Sequence, residues 1–205
     1  MVHSFASEAV APSELRQLLE ELYQGRGLSF YSNGQTIQMS SQDIWIVCRG
    51  VVLLSTLFPN GDEVLLGLAS PSMPFGLPLT AIYSYHATAL SDVDLMRLTV
   101  AEIEQSPTLS RSLWQHQSRR LRQTEAMLAL VGHRRVKERL CQLLSLLKQE
   151  IGQPVAEGTR ISVKLTHQNL ANAIGTTRVT VTRLLGQLRE EGWLSVDRNR
   201  YIILH

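Results

Sequence analysis

A C-terminal stretch, RVTVTRLLGQLREEG, places the side chains best suited to chemistry on one face of a helix. Apolar residues recur at i, i+3, i+4 and i+7, and these are predicted to form the buried face: Val181, Leu184, Leu185, Leu188. The opposite face carries two cations and two small side chains: Arg178, Val179, Thr182, Arg183. Guanidinium donates two parallel hydrogen bonds to guanine O6 and N7, and methyl groups of valine and threonine contact the thymine methyl. This face is therefore predicted to contact base edges, although Val179 alone would also fit an ordinary exposed apolar residue.

The residues before and after this stretch indicate how it is positioned. Thr166 is a suitable N-cap for a short helix, HQNLANAI, which Gly175 would end. Two short helices joined by a glycine-containing turn are typical of a helix-turn-helix. After the second helix, two β-like runs flank the segment DRNR, which predicts a hairpin with Arg198 and Arg200 at its tip. This hairpin is the predicted wing, and its arginines are expected to contact DNA phosphates.

Charge is distributed unevenly along the 205 residues, although the formal net charge is only +2. Residues 1–132 contain 8 Lys and Arg against 12 Asp and Glu, whereas residues 133–205 contain 12 against 6. A basic C-terminal module on an acidic body is the charge pattern expected when one end of a protein contacts a phosphate backbone. Basic faces are also common on proteins that bind no nucleic acid, so this pattern only supports the motif.

The N-terminal half reads as a small β-structure. Residues 13–24 fit an amphipathic helix, and short β-branched and aromatic runs then alternate with turn signals from Gly27 to Leu98. Residues 64–91 contain no charged side chain, but three prolines and several Ser and Thr argue against a membrane span. The first dozen residues do not resemble a signal peptide, and a cytoplasmic location with no membrane partner is expected.

Residues 108–132 form a predicted long helix with a seam at alternating three- and four-residue spacing. The seam residues are Trp114, Gln117, Leu121, Thr124, Leu128 and Val131. Because the seam is only partly apolar, we expect the helix to pair with its twin in a homodimer while leaning on the β-structure. The alternative is a helix packed within one subunit.

Metal, redox and catalytic motifs have little support in the sequence. Cys48 and Cys141 are far apart and are expected to be buried thiols, with no disulfide, zinc or iron-sulfur spacing. The six histidines are scattered over different predicted elements, and only His86 falls in the β-region. A cupin-type enzyme would need clustered His and carboxylate ligands, so catalysis is not expected. The remaining alternative is a ligand-binding signalling module whose DNA head is weak or vestigial, which Arg178 and Arg183 argue against.

The stretch KLTHQNLANAIGTTRVTVTRLLGQLREEG resembles the DNA-binding domain of the Crp/Fnr superfamily, the cyclic-AMP receptor protein and FNR regulators, and is most similar to its NtcA-like branch. DIWIVCRGVVLLS, PNGDEVLLGLASPSMPFG and SRRLRQTEAMLALVGHR extend the resemblance more thinly. It implies an α+β architecture: an N-terminal double-stranded, cupin-like β-roll that binds an effector (residues 1–107), a dimerisation helix and hinge (108–132), and a winged helix-turn-helix (133–205).

By the same resemblance, Arg178, Val179 and Arg183 would contact bases, and Thr166 and Gln168 would contact phosphates. The expected partners are double-stranded DNA with a palindromic, GTA/TAC-type promoter site, a second copy of the chain, and RNA polymerase. An effector would lie near Phe75, Gly76 and Leu77 of the roll and near two residues of the long helix, Arg120 and Glu125. Arg120 suits a dicarboxylate chemically, although it would also fit a solvated arginine beside its basic neighbours.

The sequence departs from the family pattern at the effector site. Phe75-Gly76 is followed by Leu77-Pro78 where a cyclic-nucleotide pocket would carry a glutamate, and the segment from Tyr83 to His86 lacks the expected arginine. Cyclic AMP is therefore not expected. The resemblance favours 2-oxoglutarate or a related metabolite, although Tyr83 stands where the NtcA-like branch has a second arginine. A different signal, or none, is the alternative.

Overall fold

The computed structural model describes residues 27–205, and the helix predicted at residues 13–24 lies outside them. Strands occupy the first part of this range, helices the middle, and a mixed helix and strand unit the end, which confirms the predicted α+β class. The strands of the N-terminal part are β1 Ser29–Tyr31, β2 Asp43–Arg49, β3 Val52–Leu57, β4 Glu63–Ala69, β5 Pro74–Phe75, β6 Tyr85–Ala89 and β7 Val93–Thr99.

These seven strands form two antiparallel sheets, ordered β1-β7-β2-β5 and β4-β3-β6. An apolar cluster between them takes Val47 and Leu95 from the first sheet and Leu54 and Ala87 from the second. Strand β7 contributes Val93 and Leu95 to this cluster and Met96 and Leu98 to a second one, so apolar side chains pack on both of its faces. The result is the predicted β-roll.

Two helices follow the roll directly. Helix α1, Val100–Gln105, begins with a capping box in which Thr99 and Glu102 satisfy each other's backbone amides. Helix α2, Pro107–Val131, begins after the Ser106 cap, and proline at its first position suits a helix start. The 25 residues of α2 make it the longest element of the described chain, and its bounds lie within one residue of the prediction.

The C-terminal part contains three helices and a four-stranded sheet. Helix α3 spans Val136–Ile151, α4 spans His167–Ile174 and α5 spans Arg178–Glu190. The sheet has the order β10-β11-β9-β8. Its strands are β8 Gly152–Val155, β9 Gly158–Ile161, β10 Leu194–Val196 and β11 Ile202–Leu204.

The alternating run RISVKL at residues 160–165 is typical of a strand, but only its first two residues belong to β9, which begins at Gly158 and ends at Ile161. Strand β8 was missed: its sequence, GQPV, lacks apolar alternation and exists as the hairpin partner of β9. A single apolar cluster joins this unit to the roll, since it contains Leu53 and Leu65 together with Leu170 and Leu184. None of the helices described is long and apolar enough to cross a membrane.

Candidate nucleic-acid interface and ligand cavity

Helices α4 and α5 are defined by a capping box, a terminal glycine and a side-chain contact between them. Thr166 caps α4 by accepting a 3.0 Å hydrogen bond from the Asn169 amide, and the Asn169 side chain accepts from the Thr166 amide in return. Gly175 ends α4 in the left-handed region with φ 61°, which glycine adopts without steric cost. His167 Nδ1 lies 2.7 Å from Thr182 Oγ1 and links the two helices. The pair has the helix-turn-helix geometry that the sequence predicted.

Helix α5 has one buried and one exposed face. Val181, Leu184 and Leu188 are buried, while Leu185 is half-buried against the same cluster. Arg178, Thr182 and Arg183 are exposed, and Val179 retains 79% of its surface. The Thr182 hydroxyl donates to the Arg178 carbonyl at 2.9 Å, so this side chain offers its methyl group more readily than its hydroxyl to another molecule.

The predicted phosphate contacts lie on exposed parts of the same unit. Gln168 is exposed and donates to Asn172 Oδ1 at 2.6 Å, and Thr166 is exposed but uses its hydroxyl in the α4 cap. Arg198 and Arg200 are exposed in the loop between β10 and β11. Arg200 has φ 67°, and Asp197 Oδ1 stabilises the loop by accepting from two backbone amides. These positions allow phosphate contact, which stays a prediction.

A cavity of about 420 Å³ lies between the roll and α2. Thirteen residues line it, most of them apolar. They come from β4, β5, the segment 79–85 and one face of α2: Leu66, Pro74, Phe75, Leu79, Thr80, Ile82, Tyr85, Trp114, Gln117, Ser118, Arg120, Leu121, Thr124. This volume lies within the roughly 300–1,000 Å³ range of ligand pockets.

Arg120 is fixed at one side of this cavity. Its Nη1 donates to Gln123 Oε1 at 2.7 Å and its Nη2 to the Leu66 carbonyl at 3.4 Å. Burial lowers the pKa of Arg120 and interaction with Tyr85 opposes that effect, but arginine stays charged at physiological pH. Burial likewise raises the pKa of the Tyr85 phenol, and the Arg120 charge opposes the rise. Arg120 is therefore a permanent, partly desolvated cation facing an apolar cavity.

Strand β4, which lies beside Arg120, has a bulge and a glycine that allow α2 to approach closely. Leu54 pairs with Gly67 and Ser55 with Leu65, so Leu66 is the extra residue of a β-bulge. Gly67 has φ 146°, and a Cβ there would collide with Arg120 Nη1 and lie 2.5 Å from Gln123 Oε1. Gln123 is 3% exposed, and its Oε1 also accepts from the Leu68 amide at 2.9 Å.

Sequence reasoning missed Gly67, Tyr85 and Gln123. The isolated glycine within the strand EVLLGLA was the available signal, because such glycines mark bulges or close backbone approach. Tyr85 and Gln123 gave no comparable signal, since nothing local predicts which strand residue faces the helix.

The predicted effector residues fall into two groups. Phe75 and Arg120 line the cavity, whereas Gly76, Leu77 and Glu125 lie outside its lining. Gly76 has φ 149°, and a Cβ there would lie 2.7 Å from the Asp43 carbonyl, so glycine serves close packing against β2. Leu77 begins a short 3₁₀ turn, and Glu125 is exposed on α2. Direct effector contact by these three has no geometric support here.

The predicted dimer seam is largely solvent-exposed in the single chain. Trp114 retains 74% and Leu128 71% of their surface, and Leu121 and Val131 are also exposed. Thr124 is exposed and Gln117 is half-buried.

Cys48 and Cys141, expected to be buried, are half-buried, with no disulfide between them. Within residues 27–205, no group of three or more His, Cys, Asp or Glu is arranged to hold a metal ion.

Comparison with known proteins agrees with this geometry. Residues 138–205 match the Crp-like helix-turn-helix domain. A global nitrogen regulator from Synechocystis sp. is 35% identical over 80% of this chain and 76% of its own length. A regulatory protein CysR from Synechococcus elongatus is 36% identical over 78% of this chain and 75% of its own.

Among solved structures, a CRP/FNR-family transcriptional regulator from Thermus thermophilus superposes with a TM-score of 0.71 at 26% identity, over 87% of this chain and 93% of that chain. The sequence and structural similarities extend beyond the DNA-binding unit to the roll and the long helix. They also set aside the enzyme alternative, because the relatives are regulators. The chain therefore belongs to the Crp/Fnr family of DNA-binding transcription regulators.

Proposed function

We propose that two copies of this regulator bind one palindromic promoter site, and that a small anionic metabolite beside Arg120 modulates binding. The observation that carries the proposal is the exposed face of α5, where Arg178, Val179 and Arg183 stand free of the apolar core. Val179 has 79% of its surface exposed and lies on this face with the two arginines. A major groove is complementary to such a face, because guanine offers acceptors to arginine and thymine offers a methyl group to valine.

The exposed seam of α2 supports pairing of two copies. Trp114, Leu121 and Leu128 are spaced seven residues apart along one side of the helix, and all three are exposed. A twin helix packed along this stripe would remove their apolar surface from water. Two-fold symmetry would then place two α5 helices on half-sites about 34 Å apart on one face of the duplex. RNA polymerase at the promoter is the further proposed partner, and the cytoplasm the proposed location.

The cavity supports a link between ligand and DNA. Arg120 and Gln123 join α2 to the bulge of β4, so an anion that engages Arg120 would change the contacts that fix α2 on the roll. Because α2 ends at Val131, immediately before the segment leading to α3, a shift of α2 would alter the spacing of the two DNA heads.

A fluorescence anisotropy titration tests the proposal. A labelled GTA/TAC-type palindromic duplex and a scrambled duplex of the same composition are titrated with the full chain, with and without 2-oxoglutarate and related acids. The palindrome is expected to bind more tightly, and an acid to change its Kd. Arg120→Ala is expected to abolish the change while leaving binding without ligand intact. Equal affinity for both duplexes would contradict the proposal.

A further inference from the structure

The cavity between the roll and α2 contains one ionisable cation and no carboxylate among its thirteen lining residues. The wall opposite the helix is aliphatic and aromatic, with Phe75, Leu79 and Ile82 as its main side chains. In the described part of the chain no carboxylate lies within ion-pair distance of Arg120; Glu150 pairs with the neighbouring Arg119 at 3.0 Å and acts on Arg120 only at longer range. Within one subunit the cavity therefore offers one positive charge and an apolar remainder.

The polar side chains of the cavity are mostly committed to the fold. Ser118 Oγ donates to the Trp114 carbonyl at 3.0 Å, and Thr124 Oγ1 donates to the Arg120 carbonyl at 3.0 Å. Thr80 Oγ1 accepts from the Ile82 amide at 3.1 Å. The Ser118 and Thr124 hydroxyls are thus used as donors, and Thr80 keeps one O–H; a second anionic group would find that single neutral donor and no second cation among the lining residues.

The head of a ligand would find better partners beside α2. Arg120 uses two of its five N–H groups in contacts with Gln123 and Leu66, so others are available to a carboxylate. The Tyr85 hydroxyl is next to the guanidinium and is protonated at neutral pH, because a phenol titrates at about pH 10 even without the rise in pKa that burial causes here. Gln117 Oε1 is buried and has no hydrogen-bond partner among the described residues; because an amide oxygen accepts, it suits a donor group on the ligand and not its carboxylate. The groups that would hold a single acidic head are therefore Arg120 and Tyr85.

We infer that the effector is a small acid with one negative charge and an apolar body, and that a dicarboxylate of similar length binds less tightly. The inference rests on the proposed function, which places the effector beside Arg120. A second carboxylate against the buried Phe75 or the half-buried Leu79 would lose hydration without gaining a cation. A branched or aromatic chain would instead fill the same space and remove apolar surface from water.

Three acids that share a 2-oxo acid head test the inference by isothermal titration calorimetry on the full chain. The probes are 2-oxoglutarate, 4-methyl-2-oxopentanoate and phenylpyruvate, with 4-methyl-2-pentanone as the uncharged control. At least one of the two monoacids is expected to bind at least tenfold more tightly than 2-oxoglutarate, and the ketone at least tenfold more weakly than that acid. Tighter binding of 2-oxoglutarate would overturn the inference while leaving the acid site of the proposed function intact.

Two variants and a control locate the effect. Ile82→Lys adds a cation to the apolar wall and is expected to reverse the preference in favour of 2-oxoglutarate by at least tenfold. Arg120→Gln is expected to weaken every acid at least tenfold, whereas Arg122→Gln, an exposed position on the same helix, should change none. An unchanged preference in Ile82→Lys would overturn the inference. Failure of all three acids to bind the native chain would overturn both this inference and the proposed effector site, without bearing on DNA recognition.

Discussion

Asn172 Nδ2 donates a 2.9 Å hydrogen bond to Glu63 Oε2, and this contact joins the first helix of the helix-turn-helix to strand β4 of the roll. The same strand contacts α2 near its other end, where Gln123 Oε1 accepts a hydrogen bond from the Leu68 amide. Strand β4 therefore touches both the helix that lines the cavity and the unit that contacts DNA. In the proposed function, these two contacts would form the route by which a ligand in the cavity affects the DNA head.

Asn172→Ala is expected to loosen the contact between α4 and β4. Hydrogen bonds to charged groups typically contribute about 1.5–3 kcal/mol, and this half-buried one should fall at the lower end. Hydrogen exchange in α4 is therefore expected to accelerate about tenfold. Asn199→Ala, at the exposed wing tip, is the matched control and should leave α4 unchanged. Equal protection of α4 in both variants would show that the contact contributes nothing to docking.

Gly67→Ala is expected to displace α2 from the roll. The added Cβ would collide with Arg120 Nη1 at a backbone conformation, φ 146°, that alanine rarely adopts. A loss of about 2 kcal/mol or more in the free energy of unfolding is expected, measured by thermal denaturation. Gly34→Ala isolates the backbone contribution, because Gly34 has φ 86° and open space around it. An equal loss of unfolding free energy in the two variants would show that the close approach of α2 to Gly67 does not contribute to the cost of the substitution.

The titration of Tyr85 reports the geometry around Arg120. Burial raises the pKa of its phenol and the neighbouring guanidinium opposes the rise, so Arg120→Gln should raise the pKa further. The phenol prefers its protonated form in the fold, and this preference stabilises the protein at neutral pH. That stabilisation is lost as the pH rises above about 10. The Tyr85 ¹³Cζ shift, assigned with Tyr85→Phe, measures the change, and Arg122→Gln serves as control. A lower pKa in Arg120→Gln would contradict the arrangement.

Leu128→Glu is expected to separate the two subunits of the proposed dimer. The substitution would place a carboxylate in the middle of the apolar stripe of α2 and bring it close to its symmetry-related copy. Light scattering after gel filtration should give a mass near 46 kDa for the native dimer, about twice the 23.0 kDa chain, and a lower mass for the variant. Gln115→Glu adds the same charge at an exposed position outside the seam. A monomeric native chain would remove the basis for reading a palindrome.

The helical parts of the fold were predicted well because their determinants are local. Helix α2 has proline at its start and continuous helical periodicity, and α4 has a capping threonine and a terminal glycine within ten residues. Strand β8 was not predictable in this way, since Gly152–Val155 becomes a strand only by pairing with β9. Strand pairing between distant residues is a tertiary property that a periodic pattern does not encode.

The residues proposed to face DNA and the residues around the cavity differ in the same respect. Arg178, Val179 and Arg183 share one helix face, so periodicity alone separates them from the buried leucines. Besides Gln123 on the same helix, the partners of Arg120 are Leu66 in the bulge of β4 and Tyr85 in β6, and the sequence does not place these strands beside α2. Glu125 was expected near an effector only through the family resemblance, and it is exposed and lies outside the cavity lining.

The most direct test of the account is the effect of Arg183→Ala on specific and nonspecific DNA binding, measured by fluorescence anisotropy at one fixed salt concentration. The exposed guanidinium of Arg183 is proposed to contact a base edge, so the variant should lose about 1–3 kcal/mol of affinity for the palindromic duplex and much less for a scrambled one. Arg189→Ala, at the opposite end of α5, is the matched control and should preserve the difference between the duplexes. Equal losses on both duplexes in Arg183→Ala would contradict the account.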